Sequence, residues 1–150
     1  MKNWLALILC VLMLGSSALA EQQVMLPGEH YTLTLPDSMT YSPKNPSRKD
    51  GPDFQFAYFS RSLEMDVFMY ANGGTTVRGL AENMRSTGLD ATVQNVNGTE
   101  MLCYTGVDPA DGACYIGYVL MDGDQAIEIA FWYGNQEAMD QSAEIMNSIR

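Results

Sequence analysis

The segment from Ala113 to Tyr133 constrains the fold more than any other part of the chain. It contains two long apolar strands joined at Asp122-Gly123, a dipeptide typical of tight hairpin turns. In the first strand, the residues that alternate on both sides are apolar. A strand that is apolar on both faces must be covered on both faces. The segment therefore predicts the middle of a sheet, with other elements packed above and below it.

The first 20 residues have the pattern of a secretory leader. Lys2 supplies a positive charge, an apolar run continues to Leu14, and Ala18-Leu19-Ala20 forms a small-x-small cleavage signal. The run is shorter than the roughly 20 apolar residues that span a bilayer. We therefore predict cleavage after Ala20 and a secreted or periplasmic location, with a retained N-terminal anchor as the alternative.

Residues 21–150 are predicted to form a single domain, which is long enough to bury a hydrophobic core. The full chain has 18 acidic and 8 basic residues, so its formal net charge is −10. This charge disfavours nucleic acid and anionic membrane surfaces as partners. We also predict no membrane span after removal of the leader.

Apolar periodicity and turn signals predict the remaining elements. The predicted strands outside the opening segment are His30–Leu35, Phe54–Ser60, Leu63–Ala71, Ala91–Val96 and Thr99–Val107. Residues 21–29 are predicted to be a short arm and residues 41–53 a loop. One helix is predicted from a cap at Thr75 or Thr76 to about Thr87, and another from Asn135 to Arg150. The resulting order, β-β-β-α-β-β-β-β-α, predicts an α+β fold in which an antiparallel sheet of about six to seven strands is flanked by two helices.

Cys103 and Cys114 are the two cysteines that remain once the leader is removed. An even number of cysteines in an exported chain favours a disulfide. A four-residue turn between their strands keeps both side chains on one face of the sheet, and a slightly wider loop places them directly opposite each other. We therefore predict a Cys103–Cys114 disulfide, with two buried free thiols as the alternative.

The sequence contains no recognisable catalytic motif, phosphate-binding loop or pair of metal-binding cysteines. The only histidine, His30, begins a predicted strand, which favours a structural or surface role. The main acidic cluster consists of Asp108, Asp111, Asp122, Asp124 and Glu128. The four aspartates lie at turns, where aspartate is favoured for backbone reasons, and the spacing differs from that of a calcium loop. We predict no enzymatic activity, no metal site and no cofactor.

Two regions are candidate binding sites. Lys44, Arg48 and Lys49 form one basic patch on an acidic protein, which predicts a contact surface for an acidic partner or, as the simpler alternative, a solvated loop. Tyr118 and Trp132 belong to the aromatic strands and are candidates for a ligand pocket. Core packing is the simpler explanation of these aromatic residues, because they follow the period of the strands.

Several segments together resemble the PsbP-like group of proteins. They are the early strand His30–Pro36, the late strand Ile127–Phe131 and the helix that ends with Ile145–Ile149. The group includes the photosystem subunit, the Mog-type Ran-binding proteins and many exported bacterial proteins of unknown role. The resemblance implies an antiparallel sheet sandwiched by helices, and binding or assembly rather than catalysis. We therefore expect an exported, non-enzymatic binding or assembly domain for an unknown protein or envelope component, with a small-molecule carrier that has an aromatic pocket between sheet and helix as the alternative.

Overall fold

The computed structural model describes residues 20–150, so the predicted leader, apart from its last residue Ala20, lies outside the described residues. The strands within this range are β1 (Glu21–Met25), β2 (Thr32–Pro36), β3 (Thr40–Ser42), β4 (Phe54–Phe59), β5 (Leu63–Ala71), β6 (Asp90–Val96), β7 (Thr99–Val107), β8 (Cys114–Asp122) and β9 (Gln125–Tyr133). The helices are α1 (Val77–Ser86) and α2 (Gln136–Asn147). Neither of these two helices combines the length and the apolar character that a bilayer crossing requires.

Seven strands form one antiparallel sheet in the order β3-β4-β5-β9-β8-β7-β6. The strands β1 and β2 pair with each other as a separate hairpin. Residues 114–133 form β8 and β9, and these two strands lie near the middle of the sheet, as predicted. The predicted α+β class with an antiparallel sheet and two helices is confirmed.

Both helices begin at the predicted capping residues. The Thr76 side chain accepts a hydrogen bond from the backbone N–H of Gly79 at 3.1 Å, and the Asn135 side chain accepts one from Ala138 at 2.9 Å. These bonds satisfy backbone donors that have no partner within the first turn of a helix. Gly88 adopts a φ of +87° just after α1, a conformation that favours glycine and that ends the helix.

One face of the sheet, which we call the closed face, is covered over its central strands. The β1–β2 hairpin and α2 pack against it, so that apolar side chains from three layers meet in the main core. The largest fully buried side chain in the described residues is Phe131 of β9, whose ring packs edge-on against that of Tyr118 at 6.1 Å. The closed face includes Leu63, Met65, Val67, Ile116, Tyr118, Leu120, Ile127, Ile129 and Phe131.

The opposite face, which we call the open face, is covered only in part. Helix α1 packs against its β6–β7–β8 side and buries Ala81, Leu102 and Val119 in a second, smaller core. The β3–β4 loop, residues 43–53, contacts the other end through Asn45 and Arg48. Between these two covers, part of the open face remains accessible, and the candidate site lies there.

The sequence prediction missed two strands. Residues 21–25 were predicted to be an arm, yet they form β1, because Val24 pairs with Leu33 of β2 and is buried. Residues 40–42 form β3, which pairs with β4 through Thr40 and Phe59. Both strands are short and mostly polar, so their own sequences carry little strand signal, and the neighbouring strand determines their conformation.

The predicted disulfide is not formed. Cys103 lies opposite Tyr118 and Cys114 opposite Val107, and both cysteines are free thiols. Their side chains share a face, but the register separates them by four residues along the strands, or roughly 13 Å. Two cysteines whose Cα atoms are more than about 7 Å apart cannot be bridged without backbone movement. The prediction failed because residues 108–113 form a connection that is longer than either register considered.

Candidate functional site

A cleft of about 340 Å³ lies on the open face. Four adjacent strands, β5, β9, β8 and β7, contribute to it together with the β7–β8 turn, so the sheet register alone brings its residues together. The lining residues are Phe68, Tyr104, Asp108, Pro109, Tyr115, Glu128, Ala130 and Trp132. Because most of them are on strands and not on loops, the geometry of the cleft is largely pre-organised.

The carboxylate of Glu128, in the middle of β9, is held from two sides. Tyr70 Oη donates a hydrogen bond to Oε2 at 3.1 Å, and Tyr104 Oη donates one to Oε1. Burial and the neighbouring Glu128 carboxylate raise the pKa of both tyrosines, so both hydroxyls stay protonated and act as donors. A carboxylate has about four acceptor positions, so these two bonds leave capacity for a ligand.

The half-buried Glu128 has no basic partner in the part of the chain that the structure describes. Within residues 20–150, the ion pairs with nitrogen and oxygen atoms within 4.0 Å join His30 to Asp122, Arg48 to Asp108 and Asp111, and Arg78 to Glu100. None of them includes Glu128. Among the described residues, its side-chain hydrogen-bond partners are the two neutral tyrosine hydroxyls.

Two glycines determine how the tyrosine rings of the cleft lie. Tyr104 is paired with Gly117, and Tyr115 with Gly106, on neighbouring strands. A Cβ atom at either glycine would fall well inside van der Waals distance of the ring of its partner. Each ring therefore lies across the backbone of the facing strand. In this way Tyr104 crosses β8 over Gly117 and reaches Glu128 on β9.

Asp66, on β5, supports the cleft from the side. The residue is fully buried, and its Oδ2 accepts hydrogen bonds from Asn45 Nδ2 at 2.8 Å and from Trp132 Nε1 at 3.0 Å. Burial, followed by the nearby Glu64 carboxylate, raises the pKa of Asp66 to about 7. The bond to Asp66 fixes the indole ring of Trp132, while the bond from Asn45 attaches the β3–β4 loop to the sheet.

The Arg48 side chain binds to other residues of the same chain. Its guanidinium carbon lies 3.4 Å from the centroid of the Trp132 ring, and Nη2 lies 3.3 Å from Asp111 Oδ2 and 3.5 Å from Asp108 Oδ2. This arrangement combines a cation–π contact with two ion pairs. The Arg48 side chain is only 20% exposed. Of the predicted basic patch, Lys44 and Lys49 are exposed, and their role in binding an acidic partner stays a prediction.

The two aromatic residues predicted for a ligand pocket lie on opposite faces. Tyr118 is buried in the core of the closed face, whereas Trp132 lines the cleft on the open face. The structure therefore does not bring them together. The aromatic neighbours of Trp132 are Tyr115, with ring centroids 4.7 Å apart, and beyond it Tyr104 at 6.0 Å from Tyr115.

The acidic residues that were grouped by sequence are dispersed in the structure. Asp108 and Asp111 pair with Arg48, while Asp122 lies 2.7 Å from Nδ1 of His30, so that the histidine connects the β1–β2 hairpin to the β8–β9 turn. Within residues 20–150, no group of three or more His, Cys, Asp or Glu side chains is arranged to hold a metal ion. Of this cluster, Glu128 and Asp108 line the cleft, and Glu128 is the one that lies in the middle of a strand.

No protein-family model and no curated protein matches the sequence. Among solved structures, cyanobacterial PsbP (CyanoP) from Synechocystis sp. PCC 6803 is similar, with a TM-score of 0.60 and 12% identity over 91% of this chain and 95% of that chain. A protein from Bacteroides thetaiotaomicron VPI-5482 has a TM-score of 0.58 and 11% identity over 86% of this chain and 47% of its own, so this chain spans about half of that protein. The resemblance to Mog-type proteins stays a prediction. The likeness to the solved structures is one of fold, and the fold of this chain is PsbP-like.

Proposed function

We propose that the chain is an exported, non-enzymatic binding or assembly domain and that the cleft on the open face is its binding site. The observation that carries this proposal is the cleft itself, in which an anchored carboxylate lies among accessible aromatic rings. Aromatic side chains supply much of the energy of protein interfaces, because they bury a large area at little cost in conformational entropy. The partner is a protein or another component of the cell envelope.

The rigidity of the cleft supports a role in recognition. Tyr104, Tyr115 and Trp132 are held by the strands that carry them, by the glycines on which two of the rings lie, and by the bond from Trp132 to Asp66. A site that is ordered before binding loses little conformational entropy when its partner arrives. A PsbP-like fold is compatible with such a role.

A small-molecule carrier is the second candidate. It is favoured by the volume of the cleft, about 340 Å³, which falls at the lower end of the range for small-molecule sites. A carrier would bind an apolar or aromatic compound in the absence of any protein partner. A thermal-shift screen with such compounds separates the two functions, because only the carrier is expected to be stabilised.

The test of the main proposal compares two tyrosine substitutions. Tyr115→Ala removes a wall of the cleft, whereas Tyr41→Ala removes an exposed tyrosine of β3 that does not line it. Both variants are first checked for folding by thermal denaturation. The native protein is then used to capture partners from envelope and secreted fractions. Calorimetry measures the affinity of the purified partner for the native protein and for each variant.

We expect the dissociation constant to rise at least tenfold for Tyr115→Ala and to change less than twofold for Tyr41→Ala. Equal affinities of both variants for the partner would place its binding elsewhere on the surface. Failure to capture a partner from either fraction, together with no stabilisation by any compound, would refute both candidate functions.

A further inference from the structure

We propose that the cleft binds a guanidinium group, presented as an arginine side chain by a basic partner protein. The inference rests on the proposed function of the cleft and specifies the chemistry of the partner. Three features carry it: the uncompensated charge of Glu128, the aromatic rings around it, and the way in which the molecule already binds its own Arg48.

The surroundings of Glu128 differ from those of the two aspartates in the β7–β8 turn. Asp108 and Asp111, in the nearby turn, have a guanidinium within 3.5 Å. Glu128 is half-buried and has only tyrosine hydroxyls as partners within residues 20–150. Removing a charge from water is costly unless an opposite charge replaces the lost solvation. A cation that enters the cleft would supply this charge.

The walls of the cleft favour a flat organic cation over a small hydrated ion. Tyr115 and Trp132 have ring centroids 4.7 Å apart, and Tyr104 meets Tyr115 nearly edge-on, at 77°. The faces of aromatic rings attract cations, and guanidinium groups stack on them with less loss of hydration than ammonium groups. A guanidinium can also form two parallel hydrogen bonds to one carboxylate, and Glu128 keeps acceptor capacity for such bonds.

The molecule already binds one guanidinium with two of the same lining residues. Trp132 and Asp108 both line the cleft, and both contact Arg48 of the β3–β4 loop. The Arg48 side chain itself is not among the residues that line the cleft. A second arginine, supplied by the partner, would therefore meet an aromatic and acidic wall of the kind that holds Arg48.

The negative net charge of the chain favours a basic protein as the partner that presents this arginine. The chain has a net charge of −10, which attracts basic proteins over distances longer than the contact itself and raises their association rate. The cleft, with a volume of about 340 Å³, lies on the accessible part of the open face, where a side chain that projects from another surface can enter it. These features favour a protein-borne arginine over a free metabolite.

The test uses chemically matched probes and the purified protein. N-acetyl-arginine methylamide is compared with N-acetyl-citrulline methylamide, which has nearly the same shape but no charge. Binding is followed by Trp132 fluorescence and by nuclear magnetic resonance shifts of the cleft residues. We expect the arginine probe to bind at least tenfold more tightly than the citrulline probe, and an arginine-centred basic peptide to bind more tightly than methylguanidinium.

Two variants of equal charge locate the binding. Glu128→Gln removes the carboxylate of the cleft, while Glu82→Gln removes an exposed carboxylate of α1. We expect the first to reduce the preference for arginine over citrulline to less than twofold and the second to leave it unchanged. Should Glu128→Gln not fold, Tyr115→Leu keeps the apolar volume, removes the ring and is expected to weaken arginine binding at least fivefold.

Other results would overturn the inference and still leave the proposed function testable. Equal binding of both probes in the cleft would show a binding site without preference for a guanidinium. The same conclusion would follow from arginine binding that Glu128→Gln leaves unchanged, or from no binding of either probe. In each case the partner-capture experiment with Tyr115→Ala decides separately whether the cleft binds a partner at all.

Discussion

Strand β9 shows how differently the two faces of the sheet are built. On the closed face, its side chains Ile127, Ile129 and Phe131 are fully buried beneath the β1–β2 hairpin and α2. On the open face, the residues between and beside them include Glu128 and Trp132, which line an accessible cleft. The same nine-residue strand thus forms the core with one set of alternating side chains and the candidate site with the other.

The two faces together show how a sheet can present carboxylates and still keep an apolar core. The centre of the closed face is apolar, so its stability comes from burial and close packing. The open face contains the carboxylates of Asp66 and Glu128, and each accepts two hydrogen bonds from neighbouring side chains. Substitutions on the two faces should therefore change the free energy of unfolding by different amounts. On the open face, the change should also depend on pH.

The largest effect is expected on the closed face. Phe131→Ala should lower the free energy of unfolding by about 3–5 kcal/mol, because it leaves a large cavity in a fully packed core. Phe68→Ala, on the open face, should cost only about 1–2 kcal/mol, because that ring is already partly exposed. Urea denaturation measures both values. Equal losses would show that the open face is as tightly packed as the closed one.

The next effect concerns pH and the buried Asp66. Its pKa in the folded state, about 7, lies above its ordinary value of 3.8, so the folded protein binds a proton that the unfolded chain releases. Its contribution to stability is therefore fully present below about pH 4 and is lost as the pH rises to about 7. The total loss should be about 4 kcal/mol, since each pKa unit corresponds to about 1.4 kcal/mol. Asp66→Asn should abolish it, which denaturation at several pH values between 4 and 8 would show.

Glu64→Gln is the control for this pH effect. Its carboxylate is the second cause of the raised pKa of Asp66, so its removal should lower that pKa and move the loss of stability to lower pH. A difference between the native protein and Asp66→Asn that stays constant from pH 4 to pH 8 would contradict the assignment to Asp66.

A smaller effect is expected where the tyrosine rings cross the sheet. Gly117→Ala should lower the free energy of unfolding by about 1–3 kcal/mol. The added methyl group displaces the buried ring of Tyr104 and separates its hydroxyl from Glu128. The displaced tyrosine should then ionise at lower pH in a spectroscopic titration. Gly106→Ala is the matched control, and it should cost less because the partly exposed ring of Tyr115 can move towards solvent. A larger loss of stability for Gly106→Ala than for Gly117→Ala would contradict the inference that the Tyr115 ring moves more easily than the Tyr104 ring.

The smallest effect concerns the loop that covers the open face. Arg48→Met keeps most of the apolar stem and should lower stability by about 1 kcal/mol, because the contact with Trp132 and the pairs with two aspartates are lost. Lys44→Met, in the same loop, should have almost no effect, because that residue is exposed. Thermal denaturation compares the two variants. A similar effect of both would mean that Arg48 does not help to hold the loop.

Most of the fold could be predicted from the sequence because its pairings are local. The Asn97-Gly98 and Asp122-Gly123 turns define hairpins between strands that follow each other, and the caps at Thr76 and Asn135 define the helix starts. The strands β1 and β3 could not be predicted in this way, because their sequences are short or polar and the neighbouring strand determines their conformation. The cysteine pairing depended on a turn length that the residues of the turn do not specify.

The cleft was harder to predict because it depends on register across several strands. The position of Glu128 inside an apolar strand was visible in the sequence, and it was the acidic residue of the cluster that no turn explained. The pairing of Tyr104 with Gly117 could not be inferred, because a shift of two residues between β7 and β8 changes every partner. The position of Arg48 depends on the path of a loop with no regular pattern.

The pairing of β5 with β9 has a consequence for how the protein folds. Within the seven-stranded sheet of the described residues, it is the pairing that joins strands distant in sequence, since the others form between consecutive strands. Distant pairings close long loops and are generally slow to form. The cleft spans this junction, with Phe68 on β5 and its remaining residues on β9, β8 and the β7 region. A ligand of the cleft would therefore recognise the chain only after this late step, and its binding rate during refolding would report when the two parts of the sheet have joined.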